Sequence, residues 1–264
     1  MQNRLPPRLK RAIVGHNRRF RPGYSKLMSD RPPSSPKFAK PGATANQIVR
    51  VITDAWRSTN ASLQRFSRQH GTAPWHAIGE EISVSIGRSG LAWGIGLHPP
   101  PPNPERRKQE GDGCAPAGVF AITTLFGEAG TDSAFAQSAR LPYRCTSARL
   151  KCVDDPASRY YNQLIDQDKV NEVDWHSHEE MLRSDERYVI GAVIEHNAAS
   201  CPGSGSCIFL HVWQAAGVPT AGCTAASLTD MTDICTWLDA ARHPLIVQLP
   251  EAEYRRYRED WDLP

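Results

Sequence analysis

Cys207-Ile208-Phe209-Leu210-His211-Val212-Trp213 is the stretch that decides the fold. It is short, heavily apolar and bounded by turn residues, which is the signature of a strand in the middle of a sheet. Tyr188 to Ile194 reads the same way, and Gly118-Val119-Phe120-Ala121-Ile122 is another strand candidate. Further out, Ile48-Val49-Arg50-Val51-Ile52 and Leu91-Ala92-Trp93-Gly94-Ile95-Gly96-Leu97 are short apolar runs broken by turn residues. Ile82-Ser83-Val84-Ser85-Ile86 alternates apolar and polar positions, giving one buried and one wet face. Leu245-Ile246-Val247-Gln248-Leu249 supplies a last strand, closed off by Pro250.

The expected fold is therefore mainly β with a few short helices. A content of 21 prolines and 19 glycines in 264 residues suits a loop-rich β protein better than a helical bundle. Pro99 to Pro102 reads as a stiff extended loop, and no internal repeat is present. Residues 126 to 187 carry many charges and little periodicity, which suggests a long excursion covering the mouth of a site. Ser227 with Asp230 three positions later resembles a helix-capping box, and Met231, Ile234, Cys235 and Leu238 follow at helical spacing. The charged tail to Pro264 is a second helix candidate.

Residues 1–44 differ from the rest. They carry Arg4, Arg8, Lys10, Arg11, Arg18, Arg19, Arg21, Lys26, Arg31, Lys37 and Lys40 against Asp30 alone, with many prolines and serines and no apolar periodicity. Such a segment cannot bury enough surface to offset its ordering entropy, so it reads as a flexible, disordered basic arm on one folded unit, 45–264. The arm suits delivery to a secretion machinery, anchorage to an anionic polymer, or a plain solvated extension. The net charge of the whole chain is only +3, which argues against a nucleic-acid partner. No apolar run is long enough to span a bilayer, and no signal-peptide pattern opens the chain. The seven cysteines fit one working thiol plus up to three disulfides, or equally a reduced protein with scattered buried thiols.

The chemistry concentrates after the opening stretch. His211 ends an apolar strand, a loop with Gly217 and Pro219 follows, and Thr220-Ala221-Gly222-Cys223 stands just before the capped helix. A cysteine at a loop-to-helix junction has backbone amides and a helix dipole nearby, both of which favour thiolate and an oxyanion. An imidazole in reach takes the thiol proton and later returns it to a leaving amine, which is equipment for acyl transfer. Taken singly, Cys223 reads first as an inert buried thiol and His211 as a satisfied core histidine.

The wider string resembles the YkuD-type L,D-transpeptidase catalytic domain. Its signature is a strand-borne His, a short loop, then Ser or Thr, a spacer, Gly and the nucleophilic Cys, matched here by His211, Thr220, Gly222 and Cys223. Glu110-Gly111-Asp112-Gly113-Cys114-Ala115-Pro116-Ala117-Gly118-Val119-Phe120 looks like the GDG-x-(T/A)-P-x-G-x-F segment that precedes the site in that family. Gly90 to Gly94, Leu141 to Arg144 and Cys152 to Pro156 are similar to a proteobacterial branch, so the likeness covers roughly residues 47–250. Two departures stand out: Ala221 where a His is frequent, and Thr224-Ala225-Ala226 where an Arg commonly follows the Cys.

The resemblance implies a β-sandwich-like catalytic domain that needs no cofactor and no metal and acts on peptidoglycan stem peptides in the periplasm or outside the cell. Cys223 would attack the L,D bond of a stem tetrapeptide and release the terminal D-alanine, with the amides of Gly222 and Cys223 holding the oxyanion. An amine on another stem would then give a 3-3 cross-link, or water would give L,D-carboxypeptidase activity. The resemblance implies that a backbone carbonyl orients His211. Arg144 or Arg159 is a candidate partner for a substrate carboxylate, while Trp213, Tyr160 and Tyr161 are candidates to line the peptide groove with Thr220.

Three other readings fit parts of the sequence. Cys201, Cys207 and His211 with His176 and His178 offer metal-ligand types at poor spacing, and Cys201 to Cys207 looks more like a loop closed by a disulfide. A non-catalytic wall-binding module would rest on the arm alone. A secreted antibacterial effector would keep the enzyme and use the arm for loading.

Overall fold

The structure is a computed structural model that describes residues 40–102 and 104–264. Residues 1–39 of the expected arm lie outside the described residues. Residues 40–44 form a turn tied to the end of the chain: the Gly42 amide donates to the Trp261 carbonyl (2.8 Å), and the Arg68 guanidinium donates to the carbonyls of Gly42 and Ala45.

The protein is mainly β. Its strands are β1 (Gln47–Thr53), β2 (Asn60–Ser67), β3 (His76–Ser85), β4 (Leu91–Trp93), β5 (Ala115–Gly127), β6 (Tyr143–Cys145), β7 (Leu150–Val153), β8 (Leu164–Asp166), β9 (His178–Glu180), β10 (Ile190–Ile194), β11 (Phe209–Val212), β12 (Thr224–Ala226) and β13 (Leu245–Pro250). Three short helices are α1 (Ala134–Ser138), α2 (Leu228–Trp237) and α3 (Glu251–Tyr257).

Eight strands close on themselves in the order β1-β2-β3-β12-β11-β10-β5-β13, with β13 returning to β1. The expected sandwich is thus a barrel. The reason lies in β5, whose 13 residues pair with β13 through Gly118–Ala121 and with β10 through Ile122–Gly127, so that one strand bridges what would otherwise be two sheet edges. Closure removes the exposed edges that a sandwich leaves. The pairs β1/β13 and β11/β12 are parallel, and the other contacts within the ring are antiparallel. The weakest seam is β12 to β3, a single pairing of Ala225 with Ser85. It is extended by the Thr220 amide on the Ile86 carbonyl and the Arg88 amide on the Thr220 carbonyl.

The run from Leu91 is a strand only to Trp93. Beyond it the backbone still bonds to β5 at Ala117 and Val119, but Ile95 and Leu97 are 45% and 53% exposed. Gly94 is needed there because any Cβ would meet Pro116, His196 and Phe120 at under 3.0 Å.

Two apolar clusters follow from the alternation of side chains along each strand. The larger fills the barrel with residues such as Ile48, Val119, Ile194, Leu210 and Val247, and includes Met231, Ile234, Cys235 and Leu238 of α2. The Ser227 side chain caps α2 by accepting from the Asp230 amide (3.1 Å), as the spacing predicts. The second cluster holds Phe126, Leu150, Cys152, Met181, Tyr188, Cys207, Phe209 and Cys223. It lies between the outer face of β5-β10-β11 and the excursion, which folds into its own three-stranded sheet in the order β8-β7-β9. Phe126, Tyr188 and Phe209 meet edge to face at 5.1 to 5.6 Å between centroids, each pair adding about 1 kcal/mol to plain burial.

Candidate active site

Strand register explains why His211 and Cys223 share a site. Leu210, His211 and Val212 stand beside Thr224, Ala225 and Ala226. One residue earlier, the Phe209 amide donates to the Cys223 Sγ at 3.3 Å. Side chains alternate with a period of two, so Phe209, His211, Cys223 and Ala225 share one face, while Leu210 and Val212 turn into the barrel. Gly191 opposes His211 on the other side, and its missing Cβ leaves room for the Phe126 ring (2.4 Å from an added Cβ). The Tyr188 ring stands edge-on to the imidazole with 5.3 Å between centroids.

Both residues open into one cavity of about 110 Å³, lined also by Glu179, Arg183, Arg187, Tyr188 and Thr220. The Nδ1 of His211 faces the Val212 carbonyl at 2.7 Å. A carbonyl only accepts, so Nδ1 carries the proton and Nε2 keeps its lone pair. Burial holds the imidazole down to about 4 and pushes the Cys223 thiol up to about 12. At neutral pH the two are an uncharged acid and base, not the thiolate that the sequence led us to expect. The physical reason is the position of the helix: β12 separates Cys223 from α2, which starts at Leu228, so the helix dipole is spent away from the sulfur.

The loop before Cys223 is built by Thr220, whose Oγ1 accepts from the Gly222 amide (3.1 Å) and donates to the Cys223 carbonyl (2.6 Å). The Gly222 amide is therefore already engaged within the loop, and an oxyanion would have to compete with Thr220 Oγ1 for it. Gly222 instead permits close approach, since a Cβ there would lie 3.1 Å from the Cys114 carbonyl. The Asp112 segment carries that carbonyl. Asp112 accepts from Lys108 Nζ (2.7 Å), the Gln109 amide (2.8 Å) and the Cys114 amide (2.8 Å), and Gly111 and Gly113 adopt positive φ. The segment buttresses the Cys223 loop without entering the cavity.

The proposed binding residues divide. Thr220 lines the cavity; Trp213, Arg144, Arg159, Tyr160 and Tyr161 do not. Arg144 lines a separate depression with Gln163 and Glu195. Arg159 is spent on Glu172 and Asp174 at the surface and lies over the Tyr160 ring, which packs on Trp175. Tyr161 is 1% exposed and bonded to Glu110 and the Gly205 amide. The charged residues that do line the cavity are Arg183, Arg187 and Glu179, which the sequence reading missed because the charged excursion shows no periodicity to single them out. Glu179 accepts from the Tyr188 hydroxyl (2.8 Å), and burial raises its carboxyl toward the neutral form.

A disulfide joins Cys152 to Cys207 across 55 residues, fastening the excursion to the segment that leads into β11. This corrects the expected pairing of Cys207 with Cys201, which is exposed and free. Cys207 is held at φ +53°, its amide donating to Asn162 Oδ1 (2.9 Å). Among the described residues, no cluster of His, Cys, Asp and Glu is placed to hold a metal ion, and no helix is long and apolar enough to cross a membrane. No protein-family model, curated protein or solved structure matches the chain.

Proposed function

We propose that the protein is a cysteine acyltransferase of the YkuD-type L,D-transpeptidase class, with the barrel as its catalytic domain and a stem tetrapeptide of peptidoglycan as donor. The observation that carries the reading is the common face of His211 and Cys223, opening into one cavity with the Nε2 lone pair free. The Cys223 thiol, which faces the Cys207 carbonyl at 3.6 Å, turns to His211 Nε2, gives up its proton there and attacks the carbonyl of the bond to the terminal D-amino acid. The imidazolium returns that proton to the leaving amine as the C–N bond breaks, leaving a thioester on Cys223. An amine of a second stem displaces the sulfur to give a 3-3 cross-link, and water in its place gives L,D-carboxypeptidase activity. Such a substrate places the enzyme in the periplasm or outside the cell, including use as a secreted antibacterial effector.

Mass spectrometry of tetrapeptide muropeptides incubated with the protein and with Cys223→Ala tests the reading. Loss of D-alanine, with or without dimers, in the Cys223 form alone supports it. No change with either folded, reduced protein would favour a wall-binding module or a different amide substrate.

A further inference from the structure

We propose that Arg183 and Arg187 are specificity-determining residues that form a carboxylate-reading fork beside the nucleophile. The substrate they select carries a free carboxylate next to the bond that Cys223 attacks. This rests on Cys223 being the nucleophile and needs nothing further about the source of the peptide.

The fork is built by one residue. Asp185 accepts from Arg183 at Nε (2.9 Å) and Nη2 (3.0 Å), and from Arg187 at Nε (2.9 Å) and Nη2 (2.6 Å). Two flexible side chains are thereby fixed by a shared carboxylate, and the Arg183 guanidinium also rests over the Tyr188 ring at 5.1 Å. Each guanidinium has five donors, and the Nη1 of each has no acceptor among the described residues. Two cations against one carboxylate leave one positive charge, and both arginines line the cavity that holds Cys223 and His211.

Glu179, also on the wall, is turned to Tyr188 and not to the fork: its Oε2 accepts from the Tyr188 hydroxyl, neither arginine donates to it among the described residues, and burial raises its carboxyl toward the neutral form. Planar guanidinium donors match a carboxylate, and the cavity is small enough that a group held on the fork stays near the sulfur. A free chain end suits this arrangement better than the middle of a peptide, which would bring no charge to meet the fork.

Two alkylating reagents of nearly equal size, anionic iodoacetate and neutral iodoacetamide, provide the test. Their rates at Cys223 in the full chain are followed by peptide mass spectrometry and normalised to a free small thiol. The native protein should favour iodoacetate by roughly tenfold over the free thiol, the expected scale of a charge-assisted contact. Arg183→Gln with Arg187→Gln should bring the ratio of the two rates back to that of the free thiol, and because the ratio is read, any common change in Cys223 reactivity cancels. Equal preference in both proteins overturns the proposal. Should the double variant not fold, competition in the native protein decides: N-acetyl-D-alanine should slow iodoacetamide at Cys223 while its amide does not, and equal effects would overturn the fork. If Cys223 is not the nucleophile, no thioester forms with any peptide donor even where the reagent preference holds, so the two failures are distinct.

Discussion

The Nδ1 proton of His211 is held by the carbonyl of its own chain neighbour, Val212, at 2.7 Å, so the group that orients the imidazole is backbone and not a carboxylate. A neutral carbonyl fixes the tautomer without stabilising an imidazolium, and burial keeps the ring uncharged down to about pH 4. The thiol is held up to about 12 by the same burial.

The first expectation is therefore a flat pH profile. His211 can accept a proton at any pH above roughly 5, and Cys223 keeps its own until near 12, so turnover should show no step between pH 6 and 9. Iodoacetamide labelling of Cys223 should be slow at pH 7 and still rising at pH 10. A labelling midpoint between 5 and 8 would mean a preformed thiolate–imidazolium pair.

Replacing His211 by Gln removes the acceptor but keeps a polar side chain on that face. Turnover should fall by about 10²–10⁴-fold, the usual range for loss of a general base. Circular dichroism and the melting temperature measured alongside should stay close to those of the native protein, and a collapse of structure would mean that His211 is a core residue.

Much of this was legible in the chain, because alternation and turn residues depend on local rules. The strands around Ile48, Ile82, Phe120, Leu210 and Ile246 and the cap at Ser227 stand where the pattern puts them. Strand β2 was not, since Asn60–Ser67 buries Ala61, Leu63 and the polar Gln64 and carries Arg65 in mid-strand, which breaks the apolar alternation. Closure was also hidden: nothing local in β5 says that its two halves pair with different neighbours. Cys223 and His211 could be singled out by order and spacing, whereas Arg183 and Arg187 line the cavity through tertiary packing, with Tyr188 seated on Phe126 and Phe209 and the excursion tied down by a disulfide 55 residues in span.

That disulfide carries the next expectation. Closing so long a loop restricts the unfolded chain enough to be worth up to about 4 kcal/mol. Cys152→Ser with Cys207→Ser should lower the melting temperature and loosen Arg183 and Arg187 from the site. Maleimide labelling of the native protein should reach exposed Cys201 first, and recovery of a Cys201–Cys207 peptide would contradict the pairing.

Asp112 belongs to the most recognisable motif in the chain, yet it acts on the fold. Lys108 has only 4% of its side chain exposed and Asp112 is its ion-pair partner. Asp112→Ala strands that buried charge together with the Gln109 and Cys114 amides, which should cost about 3–5 kcal/mol. Denaturant unfolding measures it; a loss of turnover with stability unchanged would place Asp112 in the reaction instead.

Acid should unfold the protein through its histidines. Burial holds His98, His196 and His211 each near 4, below the ordinary value of 6.5. Between those values the unfolded chain binds protons that the folded one refuses, so stability present above pH 6.5 is lost as pH falls toward 4. Three such groups give a slope of up to about 4 kcal/mol per pH unit, and a loss of about 3 kcal/mol for each histidine by pH 4. Urea midpoints at pH 7, 6 and 5 read the slope, and His211→Gln should reduce it by one proton, about 1.4 kcal/mol per unit. An unchanged slope in that variant would mean that His211 already titrates in the folded state, which would also reopen the assignment of an uncharged base beside Cys223.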